Sequence, residues 1–229
     1  MSAAAASVPE VITRLRRIDE DLPSSDGAAV FNRMYLTVTE HVSAGLTGVQ
    51  LFRDPAFMAQ LDVRFASLWF EAYDAPSDSL PKAWAPVFER RHNHSLLPIQ
   101  FGLAGMNSHI GHDLPVALVA TCLQLDTSPD DATVREDYDK VNDLLAACES
   151  EIRRSFLTEA GQAVDQHFDP VVHLISSWDI GKAREVAWVT AEALWALRRV
   201  GSLADRYQAA VARTVGMASR ILLTEVISS

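Results

Sequence analysis

The 229-residue sequence lacks most features of secreted and membrane proteins. It has two cysteines, Cys122 and Cys148, which are too few for a disulfide scaffold and typical of a reducing cytoplasm. No apolar run approaches the roughly 18 residues that span a membrane. The first residues, MSAAAASVPEV, lack the cationic start and apolar run of a signal peptide. We therefore expect a cytoplasmic protein with no membrane span.

Positive charge is also scarce. The chain has 20 Lys and Arg residues against 30 Asp and Glu, which gives a net charge of −10 at pH 7. A nucleic-acid partner needs a clustered basic face, so we expect none. The sequence has no Gly-x-Ser-x-Gly nucleophile motif, phosphate-binding loop or dinucleotide fingerprint. None of these common catalytic or nucleotide-binding motifs therefore indicates the function.

Helix signals recur along the chain, whereas strand-like alternation does not. A stripe at helical spacing after Ser25 predicts one long helix, and Asp54-Pro55 predicts the start of another that reaches about Tyr73. The stripe consists of Phe31, Met34, Tyr35, Val38 and Val42. Further helices are predicted at about residues 7–22, 81–91, 98–125, through the 130s and 140s, at 179–199 and from Ser202, where Ser202-Leu-Ala-Asp205 resembles a capping box.

These patterns predict a single all-α domain over residues 1–229, a bundle of about seven to nine helices, with residues 1–6 disordered. A polar connection at about residues 161–177 carries His167 and His173. The last two helices are rich in alanine, which indicates close helix packing, around a cavity or against another subunit of a homo-oligomer.

The run GMNSHIGHDLP, Gly105 to Pro115, concentrates polar groups in an apolar region. On a helix, His109, His112 and Asp113 fall within an arc of about 100°, whereas Asn107 lies about 160° from His109 and beside Gly111. Asn107 therefore joins the cluster only where the backbone bends. A His–carboxylate pair can act as acid or base, and the three side chains together can also bind a divalent metal.

Pro115 disturbs any helix through this run, because it has no N–H for the carbonyl of Gly111 and its ring crowds that carbonyl. Two outcomes are open. The helix kinks near Gly111, or a new helix starts with Asp113 as its N-cap, which would make Asp113 structural.

Two further charged residues lie on apolar stripes. Asp62 shares a helix face with Met58, Phe65, Trp69 and Tyr73, and Arg184 shares one with Trp188 and Trp195. Buried charges need partners, so Asp62 and Arg184 either form a structural ion pair or line a pocket with His109. In the pocket interpretation, Asn107, Trp69, Tyr73, Arg184 and Trp188 bind the substrate.

Other histidine patterns are less specific. Glu89-Arg-Arg-His92 is one Glu-x-x-His pair where a ferritin-like site needs two, and His92-x-His94 fits a polar loop as well as a metal site. The doublet His112-Asp113 resembles the signature of HD-domain phosphohydrolases. That family needs further ligands, for which His92 or His94 and Asp137, Asp139 or Asp143 are the candidates.

A combination of motifs carries a resemblance across nearly the whole chain. They are Phe31-Asn-Arg-Met-Tyr35, Phe52-Arg-Asp-Pro55, Leu61-Asp62, Ala83-Trp84-Ala-Pro86, the Gly105–Pro115 run, Trp178-Asp-Ile180, Ala183-Arg184 and Ala187-Trp188. The sequence is similar to the uncharacterised actinobacterial family DUF5995. That family usually has Asn where this chain has Gly111, and the resemblance implies no particular substrate.

We expect a small-molecule enzyme with a His109/Asp113 acid–base site in a helical-bundle pocket, assisted by His112 and Asp62. It would act on a hydrophobic metabolite by hydrolysis, elimination or cyclisation, with or without a divalent metal. The alternatives are a non-catalytic small-ligand-binding protein and an HD-like metal-dependent phosphohydrolase.

Overall fold

The computed structural model describes residues 5–47, 51–145 and 179–225, and every regular element within them is helical. The all-α prediction is confirmed. The helices are α1 (Val8–Asp21), α2 (Gly27–Thr47), α3 (Pro55–Asp74), α4 (Ala85–Arg90), α5 (Pro98–Ser108), a π-helical turn (His109–Asp113), α6 (Leu114–Gln124), α7 (132–145), α8 (Ile180–Leu197) and α9 (Gly201–Leu222).

Three predicted helix starts are confirmed by their caps. The carboxylates of Asp54, Asp131 and Asp179 each accept a backbone N–H from the first turn of α3, α7 and α8. The capping box predicted at Ser202 is wrong. Val200 occupies the N-cap position without a side-chain cap bond, and its N–H donates to the carbonyl of Leu197 in the turn between α8 and α9.

Several predictions concern the ends of the described ranges. Residues 1–4 lie outside them, while Ala5 packs on the core and the N–H of Ala6 donates to Glu10. The predicted polar connection with His167 and His173 lies outside the described residues, as do Cys148 and the part of the predicted helix beyond residue 145.

Two hydrophobic cores share the long helices α2 and α3. The first joins α1, the first half of α2, the second half of α3, and α5. The second joins the end of α2 and the start of α3 to α6, α7 and α8. Leu46, Phe65 and Met106 pack against both cores, so these three side chains mark the junction.

The segment from α5 through α6 crosses this junction. α5 buries Ile99, Phe101 and Leu103 in the first core, and α6 buries Leu118 and Cys122 in the second. The π-helical turn joins the two helices, so its side chains lie where the cores meet. None of the described helices is both long and apolar enough to cross a membrane.

The small residues of the last two helices permit close packing. Ala187 and Ala191 of α8 are buried in the second core. On α9, a Cβ added at Gly216 would lie 2.4 Å from the carbonyl oxygen of Lys82. Only glycine allows this approach, so α9 packs directly against the loop that precedes α4. The homo-oligomer stays a prediction.

Candidate active site

The Gly105–Pro115 run forms one continuous helical backbone with a wide turn. The N–H of Leu114 donates to the carbonyl of His109, five residues back, which is the hydrogen bond of a π-helix. Asp113 has α-helical dihedrals and makes no side-chain cap bond. The N-cap alternative for Asp113 is therefore wrong. The disturbance from Pro115 is absorbed as a π-turn, a form that recurs at functional sites.

The carboxylate of Asp113 is the centre of a buried hydrogen-bond network. Its Oδ2 accepts from Nδ1 of His109 at 3.0 Å and from the indole Nε1 of Trp84 at 2.9 Å. Its Oδ1 accepts from Nδ1 of His112 at 2.7 Å. Asp113 and His109 are both buried, and His112 is mostly buried. The two histidines and the carboxylate of the motif therefore act as one unit.

These contacts determine where the protons reside. Burial alone would raise the pKa of the Asp113 carboxyl, but the hydrogen bonds from His109 and His112 outweigh it and hold that pKa below its usual range. Burial lowers the pKa of His109, and the bond to Asp113 offsets this only in part. We therefore assign a neutral His109 with its proton on Nδ1 and a free electron pair on Nε2.

Aromatic rings hold the imidazole of His109 on three sides. Phe65 stacks on it with the ring centroids 3.5 Å apart, and Tyr35 and Phe31 meet it edge to face at 4.5 and 5.6 Å. Gly105 makes room for Phe31, because a Cβ at position 105 would lie 2.4 Å from the Phe31 ring. The first residue of the motif is thus a steric requirement of the site.

A cavity of about 90 Å³ lies beside His109 at the junction of the two cores. Its polar lining comes from Tyr35, Asp62, His109 and Arg184. The apolar lining comes from α2, α3, the end of α5, the π-turn, α6, α7 and α8: Phe31, Met34, Val38, Val42, Met58, Leu61, Phe65, Met106, Ile110, Leu114, Val141, Leu145 and Ile180.

Three buried polar atoms on this lining have no hydrogen-bond partner among the described residues. They are Oη of Tyr35, Oδ2 of Asp62 and Nε2 of His109. Buried polar groups are rarely left unpaired, since each one costs about 1–3 kcal/mol. Burial raises the pKa of the Asp62 carboxyl to about 7. Burial, and next the nearby Asp62 carboxylate, raise the pKa of Tyr35 well above its usual range, and the adjacent Thr39 hydroxyl opposes them only in part.

Arg184 lies on the same lining and is 5% exposed. Its Nε donates to Oδ1 of Asn142 and its Nη2 to the carbonyl of Tyr138, both at 2.7 Å. Its guanidinium lies 4.0 Å over the Tyr138 ring. Within the described ranges, Arg184 and Asp62 form no ion pair with each other. The structure therefore favours the other alternative, in which both side chains line one cavity.

The remaining substrate-binding candidates lie elsewhere. Asn107 faces away from His109, as its angle predicts, and its amide donates to Oγ of Ser219 and the carbonyl of Val215 on α9. Trp69 donates to Asn32 and packs with Tyr73 in the first core. Trp188 donates to Glu192. None of the four lines this cavity.

The sequence did not predict the roles of two site residues, Tyr35 and Trp84. Tyr35 was interpreted as one member of an apolar stripe, and Trp84 only as part of a resembling motif. The signal for Tyr35 was a phenol between apolar positions three and four residues away, and for Trp84 an indole N–H that must find a partner once buried.

No group of three or more His, Cys, Asp or Glu side chains within the described ranges is arranged to hold a metal ion. Both oxygens of Asp113 already accept N–H donors. Two of the further ligands considered for an HD-like site, Asp137 and His92, have other contacts. Asp137 accepts the N–H groups of Arg53 and Asp54, and His92 lies beside Asp26.

Fold and site together define a single-domain, all-α protein with a buried His–carboxylate pair beside an apolar cavity. The model of the family of unknown function DUF5995 matches residues 8–225. The chain belongs to DUF5995, as the motifs predicted. Comparisons with curated proteins and with solved structures give no significant match.

Proposed function

We propose that this protein is a cytoplasmic general acid–base enzyme that acts on a small, mostly apolar molecule in the cavity. The observation that supports it is the convergence of Tyr35 Oη, Asp62 Oδ2 and His109 Nε2, all buried and unpartnered among the described residues, on one cavity. A polar group of a bound substrate would satisfy them, and catalytic groups are the usual carriers of perturbed pKa values.

In this proposal each polar group has a distinct role. His109 is the base, because its Nδ1 proton is engaged by Asp113 and its Nε2 electron pair is free to take a proton from the substrate. Asp113 orients His109 and stabilises the imidazolium that forms. Trp84 and His112 hold Asp113 in place.

Asp62 is the proposed acid. Its pKa of about 7 leaves much of the carboxyl protonated near neutral pH, so it can deliver a proton at a second atom of the substrate. Tyr35 supplies a hydroxyl to position the reacting group. Proton removal at one atom and delivery at another suits elimination and cyclisation, and it suits hydrolysis where a water enters the cavity.

The test is substrate depletion in a cell extract. Purified wild-type protein is incubated with a metabolite extract in D2O, and mass spectrometry follows both loss of metabolites and uptake of deuterium. We expect one small molecule to change with the wild type and at least about 100-fold more slowly with His109→Gln, as is typical for loss of a general base. His94→Gln, at an exposed position, is the matched control.

Unchanged turnover in His109→Gln would overturn the proposed role of His109. If a molecule binds but the wild type does not convert it, the protein is a ligand-binding protein instead. A divalent metal held by His109, His112 and Asp113 stays a prediction, and metal analysis of untagged wild type beside His109→Gln checks it.

A further inference from the structure

The guanidinium of Arg184 is the feature of the cavity that the acid–base proposal leaves unexplained. It is 5% exposed, and its partners among the described residues are neutral: an amide oxygen, a backbone carbonyl and an aromatic ring. No carboxylate of the described residues lies within ion-pair distance of it. A buried positive charge without a counter-ion is unfavourable, so the site favours an anion.

The contacts of Arg184 fix its orientation. Nε and Nη2 are used by Asn142 and Tyr138, and the hydroxyl of Tyr138 donates back to the carbonyl of Arg184 at 2.7 Å. Nη1 makes no hydrogen bond with another described residue. An Arg held by neutral partners on a cavity wall is preorganised to bind an oxyanion.

The rest of the cavity limits the body of the ligand. Thirteen of its lining residues are apolar, so they favour a hydrocarbon skeleton. A water needs on the order of 10–15 Å³ of such space, so about 90 Å³ holds roughly six to nine water-sized groups. Skeletons of four to six carbons with one head group fit this volume, by the same order-of-magnitude argument.

We infer that the substrate class is a short-chain aliphatic carboxylate, bound with its anionic head on Arg184 and its hydrocarbon body among the apolar side chains beside His109. The inference rests on the cavity of the proposed function and adds the identity of the ligand. Asp62 then contacts the part of the ligand where the reaction takes place rather than its head.

The charge of Asp62 also bears on this binding. Near pH 6.5 its carboxyl is mostly neutral and does not repel an anion, whereas above about pH 7 it becomes a second negative charge in the same cavity. Of the other titratable groups on the lining, Tyr35 stays protonated because its pKa is raised, and His109 stays neutral because its pKa is lowered. Burial also lowers the pKa of Arg184, but a guanidinium stays protonated near neutral pH. Anion binding should therefore weaken as pH rises through 7.

The experiment uses three probes with one skeleton: 3-methylbutanoate, 3-methylbutanamide and 3-methylbutylamine. Isothermal titration of the full chain at pH 6.5 should give at least about tenfold tighter binding of the carboxylate than of the amide, and no binding of the amine. Arg184→Gln should lose the carboxylate preference by about tenfold or more, while Arg213→Gln, which removes one exposed charge from α9, should keep it.

A second variant covers the case in which Arg184→Gln does not fold. Asp62→Asn keeps the shape of the side chain but cannot ionise. The variant should therefore bind 3-methylbutanoate at pH 8.5 several-fold more tightly than the wild type does. Equal binding of all head groups, preference for the amine, or no binding at all would overturn the inference. So would carboxylate binding that Arg184→Gln leaves intact.

Failure of this inference is separable from failure of the proposed function. His109→Gln removes the proposed base but leaves Arg184 in place, so it should bind 3-methylbutanoate within about threefold of the wild type. If 3-methylbutanoate binds normally but the extract experiment shows no turnover, the inferred ligand class is still supported and the proposed catalytic role is wrong.

Discussion

At the scale of single residues, the carboxyl of Asp62 is the most informative group. It is 9% exposed, and burial raises its pKa from 3.8 to about 7. In the unfolded chain it ionises near pH 4, whereas in the folded protein it keeps its proton to about pH 7. The unfolded state therefore binds fewer protons in this window, so the free energy of unfolding falls as pH rises from 4 to 7.

Asp62→Asn should remove this dependence. Relative to the variant, the wild type should lose up to about 4 kcal/mol of its free energy of unfolding between pH 4 and pH 7.5, and nothing further above it. Urea unfolding of both proteins across this range measures the difference. Asp78→Asn, in an exposed loop, is the control. A pH-independent difference between wild type and Asp62→Asn would contradict a buried, protonated carboxyl.

At the scale of elements, the contact between α5 and α2 depends on a glycine, which has a single hydrogen where other residues have a side chain. Gly105 of α5 lies against the ring of Phe31 on α2, and that ring in turn meets His109. Overpacking of a core costs about 1–3 kcal/mol, because backbone or rings must move. Here the ring that must move is part of the site.

Gly105→Ala should therefore lower the free energy of unfolding by about 1–3 kcal/mol and also reduce activity. Gly201→Ala is the matched control, because a Cβ at the first residue of α9 meets nothing within 4 Å. That change should alter stability by less than about 0.5 kcal/mol. Urea midpoints and the extract assay check both variants, and equal effects would refute the steric role of Gly105.

At the scale of the whole molecule, two hydrophobic cores meet at one site. Phe65 packs against both cores and stacks on His109, so the two cores are continuous at this position. Helices α2 and α3 contribute to both cores. A molecule built this way is expected to unfold as one cooperative unit.

Urea unfolding followed by tryptophan fluorescence and by far-ultraviolet circular dichroism should give one common midpoint. Phe65→Ala should move both midpoints together, by a loss of about 3–5 kcal/mol in the free energy of unfolding. Two separate midpoints, in the wild type or in the variant, would mean that the cores unfold independently. The site would then bridge two units instead of lying within one.

Local patterns predicted much of this molecule, because they act through neighbours in the sequence. The helices follow from apolar spacing and from the aspartates that cap α3, α7 and α8. The pairing of His109 with Asp113 follows from four-residue spacing, which brings two side chains to one face of a helix. The oddity of Asp62 and Arg184 was visible as charge on an apolar stripe.

Other features depended on distance in three dimensions. A stripe indicates which face of a helix is buried but not where along the axis the site lies. Trp69 and Tyr73 share the face of Asp62, yet seven and eleven residues place them about 10 and 16 Å farther along α3, in the first core. The stripes therefore predicted neither that Trp69 and Tyr73 lie outside the cavity nor that Tyr35 lines it.

The sequence by itself determined the helical class, the family and the presence of a His–carboxylate pair, since each rests on short motifs that are read without knowing how distant segments pack. The tertiary structure decided which side chains share the cavity. Tyr35, Asp62, His109 and Arg184 come from four separate helical segments, and only the packing of the two cores brings them together. It also decided that Asp113 serves the site, because Trp84, 29 residues away, donates to it.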